Sequence, residues 1–381
     1  MSSTSQISRA TGIASTAPPA ARTPGRFVRG TAGLSRTTPV AVTVYALEGP
    51  AALAWMKDRW PALYRHDAGA TPFGSPNWLL GWAGQLPPTA VPLLLVAADQ
   101  SGVQGALALV RESRDGRSIV RAMSAHCECI TVVGPGSQDP RVAEALAREL
   151  TQLTQDGTSV TLPNVPARSP LNLAMRSQPG WAHTACRAAA VALPLTVAVL
   201  PRSIRRQHER REQVLSDCGA AITYRRTRTH GDLLAALPVL QALHAKQRQL
   251  AAEDGDPWEA VLRRLGAAEA FIAEVAMDGA VIAAQLCLVR GRHCYSVLPA
   301  MDPAHRGLAP GHALLRRLID DLTGSGFSWL DLGPTRETPG QIAYKAQYQP
   351  VWDAVGIFTS TSPQSPGGPL AGQLMETAHV L

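Results

Sequence analysis

Strands and helices alternate along most of this chain, and a comparable order occurs twice. Residues 40–192 begin with the strand-like run VAVTVYAL, followed by a helix, three strands, a helix and another strand. Residues 193–358 begin with a predicted strand at LPLTVAVL, then a basic helix, further helices and strands, the helix PGHALLRRLIDDL and the strand FSWLDLG. Helices that alternate with strands pack on the faces of a sheet, so the sequence predicts an α/β protein. We expect two halves, residues 40–192 and 193–358.

The two ends of the chain differ from this body. Residues 1–39 are rich in Ser, Thr, Ala, Pro and Arg and show no hydrophobic periodicity, which predicts a disordered arm. Residues 359–381 include the stretch TSPQSPGGPL and predict a mobile tail.

The composition is typical of a globular protein with more than one core. The 381 residues are 45% hydrophobic and 17% charged. No run approaches the roughly 20 apolar residues of a membrane-spanning helix, and the start of the sequence lacks the apolar core of a secretory signal. The sequence therefore predicts a cytoplasmic protein, and a peripheral contact with a membrane surface stays compatible with it.

The charges favour anionic partners, and the cysteines do not favour a metal. The formal net charge is +7, which suits phosphates, nucleotides or tRNA. Lysines occur only at Lys57, Lys246 and Lys345, so each of them is more informative than a lysine usually is. The six cysteines form no CxxC pair, and the stretch HCEC has no second ligand pair at usable spacing, which predicts no metal site.

One helix begins with Pro310 and Gly311. Its apolar residues recur at helical spacing on one face: Leu314, Leu315, Leu318, Ile319 and Leu322. The N–H groups at a helix start have no intrahelical partners, and together with the positive end of the helix dipole they suit an anion. An ordinary turn before a structural helix would show the same dipeptide.

Several motifs in this order resemble a known family. PAMDP, the Pro-Gly helix start, WLDLG and YK resemble the GNAT acyltransferase fold. More narrowly, TPFGSPNWLLGWAGQL, LPRSIRRQHERREQVLSDCGA and LHAKQRQLAAEDG resemble motifs of the CelD/BcsL-type acetyltransferases, which are relatives of the FemAB aminoacyltransferases. The likeness covers roughly residues 53–352. It implies two GNAT-like halves with mixed sheets flanked by helices, and an acyl donor, acetyl-CoA, bound by the second half.

The resemblance assigns the donor to the Pro-Gly helix start. The residues expected to bind its pyrophosphate are Leu308, Ala309, Pro310, Gly311, His312 and Ala313, with His305 and Arg306 as further phosphate contacts. Gly311 would let the backbone approach the phosphates. HRGLAPGHA lacks the second glycine of the usual GNAT phosphate loop, which leaves a donor other than acyl-CoA open.

Three residues near the end of the second half are candidates for catalysis. Asp331 lies between Leu330 and Leu332 on a strand and therefore points away from both; it either accepts a proton from the acceptor or caps the following loop. Lys345, in the YK element, either stabilises an oxyanion or donor phosphates or lies on the surface. Tyr344 either protonates the departing thiol or packs in the core. Arg336 is a further candidate anion contact.

A basic helix and an aromatic pair are candidates for acceptor binding. Arg205, Arg206, Arg210 and Arg211 form either a solvated face or a surface for an anion. The anions considered are a polyanionic acceptor, a nucleotide-linked sugar, a cyclic dinucleotide and the acceptor stem of tRNA. Trp78 and Trp82 are four residues apart on one helix face, where core packing is the first expectation and a glycan contact the second.

The leading hypothesis is an acetyl-CoA-dependent N- or O-acetyltransferase that acts on a sugar of an exopolysaccharide or its precursor; the acceptor rests on the resemblance alone. The alternative is a FemAB-like enzyme that uses aminoacyl-tRNA. The absence of a long heptad stretch for a coiled-coil arm counts against tRNA. A third hypothesis is a non-catalytic effector that binds a nucleotide signal and regulates polysaccharide production.

Overall fold

The computed structural model describes residues 41–124, 129–248, 257–335 and 338–361. The predicted disordered arm and all but residues 359–361 of the predicted tail lie outside these ranges. The elements of the first half are β1 (Thr43–Glu48), α1 (Gly49–Asp58), α2 (Trp60–His66), α3 (Pro76–Ala83), β2 (Ala90–Asp99), β3 (Gly102–Arg114), β4 (Arg117–Ala122), α4 (Pro140–Gln155), β5 (Ser159–Pro166), α5 (Pro170–Arg176) and β6 (Trp181–Ala192). Those of the second half are α6 (Arg202–Asp217), β7 (Ile222–Arg226), α7 (His230–Arg248), α8 (Trp258–Leu262), β8 (Ala270–Met277), β9 (Ala280–Arg290), β10 (His293–Met301), α9 (Pro310–Gly324), β11 (Trp329–Thr335), α10 (Pro339–Ala346) and β12 (Val351–Ser360).

These strands form one continuous sheet in the order β1-β2-β3-β4-β5-β12-β6-β11-β10-β9-β8-β7. Most neighbours are antiparallel, while β4 pairs with β5 and β10 pairs with β11 in parallel. Each parallel pair is joined by one crossover helix, α4 in the first half and α9 in the second. The predicted α/β class with a mixed sheet flanked by helices is confirmed.

The two halves exchange strands at the centre of the sheet. β12, the last strand of the described chain, lies between β5 and β6 and is antiparallel to both. β6 in turn pairs with β11 of the second half. The boundary predicted after residue 192 falls at the end of β6 and stays a prediction.

One predicted strand is wrong. The segment LPLTVAVL forms no strand and contains only a 3-10 turn, Val197–Val199. Pro194 has no N–H to donate to a sheet, which disfavours a ladder there. The strand before it is β6, whose sequence WAHTACRAAAVA is rich in alanine, a residue depleted in strands. Its pairing with β12 and β11 determines its conformation.

The core consists of three clusters on the two faces of the sheet. Helices α4 and α5 cover one cluster in the first half, and α9 covers another in the second half. The third cluster lies on the opposite face and combines residues of α1, α2 and α3 with residues of α7 and α8. The halves therefore share a core on one face and have separate cores on the other.

Aromatic contacts in the shared core agree with the first expectation for Trp78, core packing, and not with the second, a glycan contact. Trp78, a candidate for glycan binding, is 0% exposed. Its ring lies 5.7 Å from that of Trp82 and 6.0 Å from that of Trp258 in α8. A side chain buried among these rings cannot stack on a sugar, so Trp78 is a core residue that joins the halves.

The described residues contain neither a membrane-spanning helix nor a metal-binding cluster. No helix among them is both long and apolar enough to cross a bilayer. Within the same residues, no group of three or more His, Cys, Asp or Glu side chains could hold a metal ion.

The strand exchange predicts that β12 stabilises the first half. Phe358 in β12 is 0% exposed and packs in the cluster beneath α4. We expect Phe358→Ala to lower the free energy of unfolding by about 3–5 kcal/mol, because it removes a buried aromatic side chain and leaves a cavity. Urea denaturation followed by circular dichroism measures this change. Val351→Ala is the control, since Val351 in the same strand is 49% exposed; equal effects of the two variants would contradict the exchange.

Candidate functional site

The site begins where two parallel strands separate. β10 and β11 are paired only at His293–Trp329, Cys294–Leu330 and Tyr295–Asp331. Beyond these pairs β10 continues to Met301 and β11 to Thr335, so the strands diverge. The backbone groups that face the gap are not paired across it, and they can bind an extended ligand.

The helix that follows β10 starts beside this gap. A 3-10 turn, Pro303–Leu308, leads to Ala309, which adopts the left-handed conformation with φ of 50° and ψ of 49°. The carbonyl of Ala309 accepts hydrogen bonds from the N–H groups of His312 (3.0 Å) and Ala313 (3.2 Å). No side chain caps the start of α9, and its first turn contains no acidic residue. The positive end of the helix dipole is therefore not neutralised.

The equivalent helix of the first half has a different start. α4 also begins with a proline, Pro140, but its N-cap is Asp139, whose carboxylate accepts from the N–H of Arg141 at 2.9 Å. The Arg141 guanidinium lies 2.6 Å from the same carboxylate and holds its pKa below the usual value. Of the two crossover helices, α4 carries its own anion and α9 does not.

The loop before α4 pairs with β3 beyond the end of β4. Val133 and Ala106 exchange two backbone hydrogen bonds of 2.9 Å, and the N–H of Gly136 donates to the carbonyl of Gln104 at 2.7 Å. The loop therefore occupies the edge of β3 that lies beyond its pairing with β4.

Gly311 leaves the α9 start open. A Cβ at this position would lie 3.8 Å from the Met301 sulfur and 3.9 Å from the Tyr344 hydroxyl, which are ordinary contacts. Packing therefore does not require a glycine here. The side chains of Pro310 and Ala313 are buried and those of Leu308, Ala309 and His312 are partly exposed, so the predicted donor contacts come mainly from backbone.

Helix α6 and the segment that follows α10 meet at this helix start. His312 Nδ1 lies 2.9 Å from the Tyr348 hydroxyl and 3.3 Å from Arg211 Nη1. Because arginine stays protonated, Nδ1 accepts both bonds and the ring proton is on Nε2. Burial, with the charge of Arg211, lowers the pKa of His312 to about 3. His312 is thus neutral and fixes the first turn of α9.

Asp331 lies at the last paired position before the strands diverge. Leu330 and Leu332 both pack in the cluster beneath α9, which confirms that Asp331 points to the opposite face. Its carboxylate accepts from the N–H of Gly333 at 2.6 Å. Burial raises its pKa to about 6, against the opposing effects of the Gly333 hydrogen bond and the Lys345 charge. A carboxylate with such a pKa is suited to accept a proton near neutral pH.

Lys345 and Tyr344 are both attached to neighbouring backbone. Lys345 Nζ donates to the carbonyls of Gly333 and Pro334, each at 2.8 Å, and so ties α10 to β11. Tyr344 donates to the carbonyl of Gly311 at 3.2 Å, and burial raises its pKa. Their catalytic roles stay predictions, and the contacts indicate that Lys345 positions the end of β11 beside Asp331.

The predicted anion-binding arginines separate into two groups. Arg211 is partly buried and donates to His312 and to the Gln347 side chain, so its charge lies at the start of α9. Arg206 and Arg210 are exposed, together with Arg202, and Arg205 is partly exposed. Arg336 lies outside the described residues.

The structure adds residues that the sequence analysis did not select. Lys246, near the end of α7, donates to the carboxylate of Asp302 at 2.6 Å, and the Gln247 side chain accepts from the N–H of Met301 at 2.9 Å. These contacts hold the end of β10 before the turn into α9. The scarcity of lysine marked Lys246, whereas no pattern in the sequence marked Gln247.

Comparisons with known proteins agree with this geometry. Residues 202–346 match the family described as acetyltransferase (GNAT) domain, so the second half carries a GNAT-like acyltransferase domain. No curated protein matches the sequence.

Three solved structures share the fold. The C-terminal domain of a putative lysylphosphatidylglycerol synthetase from Agrobacterium fabrum is 13% identical with a TM-score of 0.54, covering 86% of this chain and 96% of that one. For L-PGS from Bacillus licheniformis the identity is 14%, the TM-score 0.52 and the coverage 84% and 96%. For FemX the identity is 11%, the TM-score 0.56 and the coverage 83% and 97%. Identities this low establish the fold alone.

The raised pKa of Asp331 predicts a pH dependence of stability. The folded state holds this proton up to about pH 6 while the ordinary value is 3.8, so wild type loses stability as the pH rises through this window. In Asp331→Asn, which keeps an acceptor for the Gly333 N–H, this loss is absent. We expect the stability of wild type relative to Asp331→Asn to fall by at most roughly 3 kcal/mol between pH 4 and 7. Urea unfolding at several pH values measures it, and parallel curves would contradict the burial of a titrating carboxyl.

Proposed function

We propose that this protein transfers an acetyl group from acetyl-CoA to an amine or hydroxyl of a sugar in an exopolysaccharide or its precursor. The observation that carries the donor assignment is the uncapped, acid-free start of α9 beside a strand gap. The equivalent start in the first half is occupied by the Asp139 carboxylate. The second half therefore has the free anion site.

The donor's phosphates bind at residues 308–313. The N–H of Gly311 precedes the intrahelical hydrogen bonds of α9 and points toward an anion at its start. Arg211 adds a full positive charge at the same place. Without an anion, the positive charge of Arg211 and the positive end of the α9 dipole repel each other. A bound pyrophosphate would neutralise both. The pantetheine arm then follows the gap between β10 and β11, where backbone groups can bond its amides.

Asp331 is the proton acceptor of the transfer. The acceptor's nitrogen or oxygen attacks the thioester carbonyl, the carbon–sulfur bond breaks, and the acceptor's proton passes to the Asp331 carboxylate directly or through water. Lys345 holds the Gly333–Pro334 backbone in place beside Asp331. Tyr344, whose hydroxyl lies at the α9 start on the carbonyl of Gly311, returns a proton to the coenzyme thiolate.

We further propose that the protein acts in the cytoplasm, on a sugar acceptor. Support for the acceptor comes from the likeness of TPFGSPNWLLGWAGQL and of the basic helix motif to the CelD/BcsL-type acetyltransferases. Trp78 no longer supports it, because that ring is in the core.

A charge at the α9 start tests the donor site. We expect Gly311→Asp to weaken acetyl-CoA binding by at least about 100-fold, because its carboxylate would repel the donor's phosphates. Isothermal titration calorimetry measures the affinity.

Two variants control for folding. Gly311→Ala should fold normally, since its Cβ makes ordinary contacts. Gly324→Asp places the same carboxylate at the other end of α9, where a Cβ meets no atom within 4 Å, and it should bind acetyl-CoA as wild type does. If folded Gly311→Asp also binds normally, the donor lies elsewhere.

A FemAB-like use of aminoacyl-tRNA, or control by a cyclic dinucleotide, is the second candidate. The observation that favours an anionic macromolecule or nucleotide is the row of Arg202, Arg206 and Arg210, which are exposed at four-residue spacing along α6. FemX and the lysylphosphatidylglycerol synthetases share the fold.

This arginine row can be tested apart from the donor site. We expect the triple Arg→Gln variant at positions 202, 206 and 210 to bind a cyclic dinucleotide, a nucleotide sugar or charged tRNA several-fold more weakly, because three charges are lost. Acetyl-CoA affinity should not change, since Arg211 is retained. The matching Arg→Lys variant should keep most of the binding. A triple Gln variant that binds all three ligands like wild type would make the row a solvated face.

A further inference from the structure

A cavity of about 180 Å³ lies between the first and second halves. Tyr64, Pro72 and Ser75 of the first half line one side, and Glu269 and Arg290 of the second half line the other. None of its lining residues belongs to the donor site at α9. Pro72 and Ser75 come from the TPFGSP stretch, a motif that the donor site does not use. We propose that this cavity binds a small zwitterion of the α-amino acid type.

The two charged groups on its wall are fixed by neutral partners. One oxygen of Glu269 accepts from the Asn77 side chain at 2.8 Å and from the N–H of Gly266 at 2.9 Å. Arg290 Nη2 donates to the carbonyls of Tyr64 at 3.0 Å and Asp67 at 3.3 Å. These bonds fix the positions of the charges and leave them intact.

Glu269 and Arg290, both described in the structure, form no ion pair with each other, yet both act on one group. Tyr64 lies under the Arg290 guanidinium, which is 4.0 Å from the ring centroid. Burial raises the pKa of the Tyr64 hydroxyl to about 12; the Arg290 charge opposes this rise and the Glu269 charge adds to it. A carboxylate and a guanidinium thus face the same small space from different sides.

A ligand with one charge of each sign matches this wall. Its carboxylate would bind Arg290 and its ammonium group would bind the free oxygen of Glu269, through charge-assisted hydrogen bonds. An anion alone would leave the Glu269 charge unpaired beside it, and a cation alone would do the same to Arg290. A ligand that carries both charges pairs with Arg290 and with Glu269 at the same time.

The size and the remaining walls restrict the ligand further. The volume is below the roughly 300–1,000 Å³ of pockets for drug-sized ligands, which suits a molecule of few heavy atoms. Leu265 and Leu288 provide apolar surface, so a short apolar side chain beside the two charges would be accommodated. Neutral amino acids have this combination of groups.

Calorimetric titration of the full chain tests the proposal. The probes are glycine, L-alanine and L-leucine, with propionate and propylamine as analogues that carry only one of the two charges. We expect at least one of the amino acids to bind and to raise the melting temperature with increasing concentration. Both single-charge analogues should bind about tenfold more weakly or worse, because each lacks one charged hydrogen bond.

Glu269→Gln locates the binding. Glutamine keeps an oxygen for the Asn77 and Gly266 donors but removes the charge, so we expect a loss of amino acid affinity of about tenfold or more, with acetyl-CoA affinity unchanged. Glu259→Gln is the matched control, because Glu259 is an exposed residue of α8 paired with Arg263 and does not line the cavity.

Three results would overturn the proposal. One is the absence of binding by all three amino acids. Another is wild-type affinity in Glu269→Gln, which would place the ligand elsewhere. The third is propionate binding as tightly as the amino acids, which would make the cavity a site for anions only.

Discussion

The hydrogen bonds on both edges of β12 join the two halves of the protein into one continuous sheet. Because β12 pairs with β5 on one side and β6 on the other, neither half has an open edge at the centre of the sheet. Each parallel pair, β4 with β5 and β10 with β11, can therefore separate at one end without splitting the sheet. The reason is that β12 pairs with the other edge of β5 and β6 pairs with the other edge of β11. The gap beside α9 depends on that support.

The same architecture produces one capped helix start and one uncapped one. Both halves have a parallel pair, a crossover helix and a proline at the helix start. At the N-cap the first half has Asp139 and the second has Ala309. An aspartate accepts a hydrogen bond from an N–H group of its own helix, whereas an alanine has no side-chain acceptor for one. A single residue type at one position therefore separates a capped helix start from an uncapped one.

Local patterns in the sequence predicted part of this. Helical spacing located α4 and α9, and strand alternation predicted that Asp331 points away from Leu330 and Leu332. The alanine-rich β6 has no strand pattern of its own, and only its neighbours in the sheet explain it. The sequence of the basic helix also does not show which of its arginines are buried. Arg206 and Arg210 are exposed, whereas Arg211, directly after Arg210, is partly buried and contacts α9. The sequence shows which residues of the site are charged, but only tertiary packing determines which of them are exposed.

The position of β12 has a consequence for how the chain acquires its fold during synthesis. The N–H of Val160 bonds the side chain of Ser360, 200 positions later, at 2.9 Å. The core beneath α4 is likewise completed by Phe358 from the end of the described chain. Contacts of such separation close late, because the loop entropy must be overcome before they form. During synthesis on the ribosome, the first half is complete before β12 exists, so the edge of β5 that β12 later occupies is still unpaired. It acquires its last strand only after the whole acyltransferase half has been made, so the two halves reach the native state together.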